Sequence, residues 1–427
     1  MLVWPPPLDT IAFMGFITLF LGVAWASAMR PRFGLAALIV CYPFPMTHAI
    51  AATTITTGKV ALLAVLIGLA CTDIRLLQPP RMLRLPLLAL MCIGVFDAIS
   101  SHWAHYPHAA LHEAGKWFEY TLLAVAAAAL WRRDPDIRSI RTTIEFSTLG
   151  VVLVALVYEF VAPSSFVHIG SVNFIRLSGT LDGPNQLGQF LVVATALLTY
   201  FVLHDGSKRS QCALFAALMA LALTYSRSSL VAGIVVAGLL AWMHRRYARR
   251  LVLPATAAVM CIFLLGGVAF HRSKVASVSQ FATRPYAALH SGGVGDRSEL
   301  WHAALALWTS HPIFGIGADN FSLSLGSVGL PTIRTQANNL YLEQLADGGV
   351  ILLVLTLALF ATVLLATLRR GRGVATVATL GLIAIGLLDN PWYTPAVVAW
   401  WCIIVGITAA ESPQQNKHAL TRQVPTR

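Results

Sequence analysis

Three arginines stand in polar stretches that interrupt an otherwise apolar sequence. Arg176 precedes Gly179-Thr-Leu-Asp-Gly-Pro-Asn185, Arg227 lies within Thr224-Tyr-Ser-Arg-Ser-Ser229, and Arg297 within Asp296-Arg-Ser-Glu299. A guanidinium offers a rigid fork of N–H donors that matches phosphate oxygens. Gly179, Gly183, Pro184 and Asn185 define a tight turn ahead of Leu187, and amides exposed at a helix start receive anionic oxygens. The same turn also reads as an ordinary loop-to-helix cap. Only a few polar residues flank Arg227, which pins it to a membrane boundary. It is either a functional ionisable group or a side chain that snorkels to headgroups.

The longest polar interruption runs from His271 to about Asp347. Asp296-Arg-Ser-Glu299 has capping-box character, and Leu300, Trp301, Ala304, Leu305 and Trp308 follow at helical spacing until Pro312. This predicts an amphipathic helix with Arg297 in its first turn and the two tryptophans in packing or interfacial anchoring. Pro312-Ile-Phe-Gly-Ile-Gly-Ala-Asp-Asn320 is a glycine-punctuated turn; no strand precedes it, so it makes no nucleotide loop. A second short helix is expected over 338–345, ended by Gly348-Gly349, with Asn339 and Glu343 four apart on one face. Glu343 is a general base if buried and a plain helix charge if exposed. His102, His105, His108 and His112 carry metal-ligand spacings without a completing ligand, so no metal site is expected. Lys116 and Asp97 are secondary candidates for substrate contact. No GxSxG, Walker A or HExxH pattern occurs, which leaves nucleotide-dependent chemistry without support.

The elements that must hold these residues are membrane helices. The 427 residues are 57% hydrophobic and only 11% charged, against about 25% charged in soluble proteins. Candidate spans fall near 9–28, 34–52, 59–74, 85–101, 117–131, 144–162, 187–203, 211–225, 229–243, 251–270, 348–368, 373–389 and 393–410. Pro43 and Pro45 interrupt 34–52, which reads as broken or re-entrant. The expected fold is therefore an all-α polytopic transmembrane helical bundle of about 12–13 spans. Its parts are a bundle over 1–270, a large loop at 271–347 with short amphipathic helices, a second bundle part at 348–410, and a tail at 411–427.

Charge sets the orientation. Arg30/Arg32, Arg75/Arg81/Arg84, Arg132/Arg133/Arg138/Arg141, Lys208/Arg209, Arg245/Arg246/Arg249/Arg250 and Arg369/Arg370/Arg372 fall in alternate loops and mark the cytoplasmic side. The loops at 53–58, 102–116, 163–186, 226–228, 271–347 and 390–392 then face outward. The net charge of +12 is largely this arginine excess facing anionic headgroups and calls for no nucleic acid. The N-terminus lacks a positive region before its first apolar run, so no signal peptide is expected. All six cysteines lie in or beside apolar spans and read as small buried hydrophobes.

Taken in order, these stretches resemble the bacterial O-antigen ligase and polymerase superfamily. The matching pieces are Arg176…Gly179-Thr-Leu-Asp-Gly-Pro-Asn185, Thr224-Tyr-Ser-Arg227, Arg297-Ser-Glu-Leu-Trp301, His311-Pro-Ile-Phe-Gly-Ile-Gly317, Asn320-Phe321, Asn338-Asn-Leu-Tyr-Leu342 and Gly349. They cover about residues 170–350, and the remainder matches by hydropathy alone.

The resemblance implies a C-type membrane glycosyltransferase (GT-C-like) of the Gram-negative inner membrane, acting at the periplasmic face without metal or other cofactor. Its donor would be an undecaprenyl-diphosphate-linked glycan and its acceptor the lipid A–core oligosaccharide, in a ligase. A polymerase of the same superfamily would instead extend another glycan repeat. A lipid-linked glycan transporter is the rival from another class; it would favour internal repeats and midplane charges. Arg176, Arg227 and Arg297 match the arginines thought to hold the diphosphate, with Asn185, Asn339 and Glu343 as further substrate contacts. Position 338 departs from the family, which usually has a histidine there as base. An Asn amide is no base at neutral pH. Either Glu343, His302 or His311 serves instead, or Asn338 only orients the acceptor, or the chain is an inactivated form.

Overall fold

The computed structural model describes residues 8–50, 53–161, 166–169, 172–258, 260, 297–330, 335–368 and 373–411. Most of the candidate span 251–270, the segment 271–296, Arg334 and the tail from 412 lie outside them.

Apolar runs bounded by proline, glycine and charge fold into α1 (Leu8–Met29), α2 (Pro31–Cys41), α3 (Thr57–Asp73), α4 (Arg84–Ser100), α5 (Pro107–Arg133) and α6 (Ile137–Val161). Then follow α7 (Pro184–Asp205), α8 (Lys208–Leu223), α9 (Arg227–Met243), α10 (Arg297–Ser310), α11 (Leu340–Leu368), α12 (Gly373–Gly386) and α13 (Pro395–Ala410). Among the described residues, five stretches are long and apolar enough to cross a bilayer: Thr57–Leu77, Arg81–Ser100, Ile137–Glu159, Pro184–His204 and Leu340–Leu368. Shorter apolar helices stand beside them. The chain is a polytopic membrane helical bundle, as its hydropathy predicts.

Small residues let the helices close up where no hydrophobic effect drives them together. Ala126, Ala127, Ala128 and Ala129 of α5 are fully buried. Opposite them, a methyl group on Gly406 of α13 would lie 2.4 Å from Ala124 O. Trp400 Nε1 donates to Ile39 O at 2.9 Å and Trp401 Nε1 to Thr379 Oγ1 at 2.9 Å, so neither indole leaves a buried donor unmet.

The apolar stretch 34–52 is broken, as its prolines predict: α2 stops at Cys41, before Pro43 and Pro45. Its 11 residues span about 16 Å, roughly half a bilayer core. Two short antiparallel hairpins, Thr47–Ile50 with Thr53–Thr56 and Phe166–Ile169 with Val172–Ile175, were not foreseen in an all-α reading. Cys71, Cys92 and Cys212 are exposed on outer helix faces and Cys41 is half-buried, leaving Cys402 as the buried thiol among the described cysteines.

Loop contacts sort the two ends of the bundle. At one end, Thr180 Oγ1 donates to Pro43 O (2.7 Å), Leu177 N to Leu223 O (3.1 Å), Tyr106 N to Asn320 Oδ1 (2.8 Å) and Tyr393 Oη to Asp319 Oδ1 (2.9 Å). This loop face joins segments near 43, 106, 177–180, 223, 319 and 393. At the other end of α7, Arg250 Nη1 donates to Leu203 O (2.7 Å), and Arg133 Nη2 reaches Ala28 O (3.0 Å). Arginines of the basic loops thus bind the carbonyls left open at helix C-termini.

A candidate anion site at the loop face

Arg176 follows the second hairpin and is half-buried. Its Nε donates to Thr224 O at 2.9 Å and its Nη2 to Asn185 Oδ1 at 3.0 Å. Arg227 opens α9 and is exposed, while Arg297 opens α10 and is half-buried. Burial lowers the basicity of Arg176, and the charge of Arg227 lowers it further. For Arg297, burial lowers it, Asp389 acts in the opposite sense, and Arg227 again lowers it. A guanidinium keeps its charge through such shifts. Their causes show that Arg227 neighbours both other arginines.

Among the described residues, none of these three arginines forms an ion pair with a carboxylate. Arg227 and Arg297 occupy first helical positions, where the macrodipole disfavours a cation by about 0.3–1 kcal/mol. With no carboxylate within ion-pair distance among the described residues, they make this corner positive, and amides at a helix start add to that potential. The start of α7 belongs to the same corner, because a methyl on Gly188 would meet Ser229 Oγ at 2.6 Å.

Asp389, which sequence reasoning missed, lies on the far side. It is 2% exposed and accepts from Ser228 Oγ at 3.3 Å, while its backbone carbonyl accepts from Leu340 N at 3.2 Å. It therefore links the arginine corner to the start of α11. The available signal was an acidic residue at the loop-side end of an apolar run, beside Asn390-Pro391.

The turn before α11 carries Asn338 and Asn339. Asn338 has φ 51°, left-handed backbone that Asn, Asp and His occupy more readily than other non-glycine residues. Its Nδ2 donates to Gln336 O at 3.3 Å. Asn339 does not lie on a helix face with Glu343, as expected. It caps the helix, Oδ1 accepting from Leu342 N (3.1 Å) and Nδ2 donating to Leu387 O (3.0 Å). Glu343 is 1% exposed, and its Oε2 accepts from Ala337 N at 3.0 Å.

Helix α10 forms as expected from Arg297, but its buried face is Leu300, Ala303, Ala304 and Leu307, packed beside Phe321, Leu325 and Ala346. Leu305 faces outward. Trp308 Nε1 donates to Pro312 O at 3.1 Å, a structural use of that indole. His302 and His311 are both exposed. His311 follows the 14-residue helix, about 20 Å along its axis from Arg297.

The glycine-punctuated turn is a backbone clasp. Ile316 N and Gly317 N donate to Ala346 O (3.0 Å) and Asp347 O (2.8 Å), and Val350 N donates back to Pro312 O (3.0 Å). These bonds hold a break in α11 at Gly349, whose φ is 62°. The short helix ends at Gly348-Gly349 as expected: Gly349 is non-helical, and the apolar run to Leu368 begins beyond it. Lys116 forms an ion pair with Glu113 and lies 5.8 Å from the Tyr393 ring centroid, and Asp97 is buried. His102, His105, His108 and His112 are exposed. Among the described residues no three His, Cys, Asp or Glu side chains converge as metal ligands.

A bundle of membrane helices with charged groups gathered at one end defines a multi-pass membrane protein. Residues 212–357 match the family model described as O-antigen ligase, which supports the O-antigen ligase and polymerase superfamily. That stretch is similar to a family whose members are glycosyltransferase-like enzymes of glycan assembly. The match includes Arg227, Arg297, Asn338, Asn339 and Glu343; Arg176, Asn185 and Asp389 lie outside it. No curated protein matches the chain.

Proposed function

We propose that the chain is an O-antigen ligase. It transfers a glycan from undecaprenyl diphosphate to the lipid A–core oligosaccharide, at the periplasmic face of a Gram-negative inner membrane, with inversion. Arg176, Arg227 and Arg297 grip the diphosphate, Asn185 fixes Arg176, and Asn338 orients the acceptor hydroxyl. Asn339 and Glu343 shape the acceptor side from behind.

The observation that carries this reading is the group of three arginines, two of them in the first turns of helices, none with a carboxylate within ion-pair distance among the described residues. Breaking the bond between the anomeric carbon and the phosphate oxygen leaves negative charge on the diphosphate. Fixed guanidinium donors stabilise that charge as it develops, with no metal needed. Apolar lipid tails of donor and acceptor remain in the bilayer while their headgroups meet at the loop face.

The test is reconstitution of the full chain with lipid-linked O-antigen and rough lipopolysaccharide, with products separated on a gel. A ladder on lipid A–core supports ligase. Lengthened glycan on the lipid carrier, with no modified lipid A–core, replaces it with polymerase. Transfer that survives both Arg227→Ala and Arg297→Ala eliminates the diphosphate grip.

A further inference from the structure

At the start of α11, where Glu343 accepts from the N–H of Ala337, the residue before Asn338, lies a polar cavity of about 20 Å³, room for about one water molecule. Its walls come from five parts of the fold. Asp97 lies on α4, Glu113 and Lys116 on α5, Asp319 in the loop after α10, Glu343 and Asp347 on α11, and Asn390 and Tyr393 before α13. Five carboxylates around one lysine and one phenol cannot all ionise in so small a buried space. Two carboxylate oxygens at the cavity are unspent. Among the described residues neither Asp97 Oδ1, with Trp117 beside its carboxylate, nor Glu343 Oε1, beside Tyr393 and Asn390, has a well-formed hydrogen-bond partner. Both residues are 1% exposed.

The cavity connects two ends. Asn390 follows Asp389, whose charge acts on Arg297, so one wall borders the arginine corner. Tyr393 donates to Asp319 Oδ1 at 2.9 Å. The Lys116–Glu113 pair retains side-chain exposures of 16% and 15%, so this side of the cavity is not fully closed. Asp347 is closed off from this line, because its Oδ1 accepts from Phe321 N at 2.7 Å.

We propose that this cluster is the proton acceptor of the transfer reaction, with Glu343 as its entry group, replacing a base at position 338. The proposal rests on the glycosyl-transfer reading. The acceptor oxygen forms a bond to the anomeric carbon as the bond to the phosphate oxygen breaks, and that electron pair leaves on the diphosphate. The hydroxyl proton passes through the cavity water to the Glu343 carboxylate. From there it reaches solvent by way of Tyr393, Asp319 and the Lys116–Glu113 pair. Glu343 acts through water, so it is a positioning and relay residue for the acceptor.

The experiment compares transfer by the full reconstituted chain, Glu343→Gln, Asn338→His and the double variant, each from about pH 5 to about pH 9. Glu343→Gln is expected to lower kcat at least about 10²-fold, as loss of a positioned base does, with the donor KM little changed. Asn338→His placed on Glu343→Gln is expected to restore most of the rate. It should also add a limb near the ordinary histidine value of about 6.5, because a base at 338 bypasses the cluster. Full activity of Glu343→Gln with an unaltered pH profile overturns the relay, as does a loss that Asn338→His fails to rescue in folded protein. Silence of the unsubstituted chain and Asn338→His alike overturns the glycosyl-transfer reading itself.

Discussion

Arg176 Nη2 donates to Asn185 Oδ1 across 3.0 Å, joining the residue after the second hairpin to the second residue of α7. With its Nε held by Thr224 O, the guanidinium is fixed in place before any ligand arrives. A donor fixed in advance costs no reorganisation when charge develops. Asn185→Ala removes one of the two anchors. The expected outcome is a rise of about tenfold in donor KM, the equivalent of about 1.4 kcal/mol, measured in steady-state transfer at saturating acceptor.

Arg227 and Arg297 have no such anchor in a carboxylate, so their charge is available to an anion. Arg297→Ala and Arg227→Ala should each lower kcat/KM by about 10²-fold or more, the usual scale for losing one charge-stabilising donor. Lysine at either position keeps the charge and loses the planar fork, so it should recover only part of the rate. Comparing Ala and Lys variants at fixed protein level separates charge from geometry.

Gly349 and Gly315 face each other's strands of backbone in the clasp. A methyl on Gly349 would lie 2.3 Å from Ile313 O, and one on Gly315 2.3 Å from Asp347 O, with φ of +62° and +65°. Positive φ alone costs a substituted residue about 1–2 kcal/mol, and neither contact can relax, because both neighbours are backbone. Gly349→Ala and Gly315→Ala should each reduce the thermal midpoint of detergent-solubilised protein and the yield of folded chain. An alanine at Gly329, where nothing lies within 4 Å and φ is +81°, isolates the φ cost without the clash.

Position 338 tests backbone against chemistry. Its left-handed φ of 51° suits Asn, His and Gly better than Ala. Asn338→His and Asn338→Gly should therefore leave folding and thermal stability close to the parent, and Asn338→Ala should cost about 1 kcal/mol. In the same assays only the histidine variant gains a base, so transfer should rise for His and fall for Gly. Stability and activity then move independently along this series.

Much of the fold was legible in sequence because a bilayer imposes a length and an apolar character on each helix. Runs such as 187–203 and 348–368 located helices within a few residues. Prolines 43 and 45 marked where α2 breaks, and the helical spacing of Leu300, Ala304 and Trp308 marked α10. What periodicity could not reveal was which face of α10 turns inward: Leu305 read as buried and is exposed, whereas Ala303 and Leu307 are buried. Small residues contribute weakly to a hydropathy pattern, and the partner surface chooses among faces.

The candidate site divides in the same way. Residue type alone determined that Arg176, Arg227 and Arg297 belong to polar breaks between membrane runs, since an arginine is too costly to place elsewhere in such a sequence. That Asn339 is a cap, that His311 stands a helix length from Arg297, and that Asp389 closes the corner was decided by tertiary structure. So was the gathering of Asp97, Glu113, Lys116, Asp319, Glu343 and Asp347 around one small cavity. Those residues are spread from position 97 to 347, and hydrogen bonds between distant loops, which no local pattern encodes, bring them to one end of the bundle.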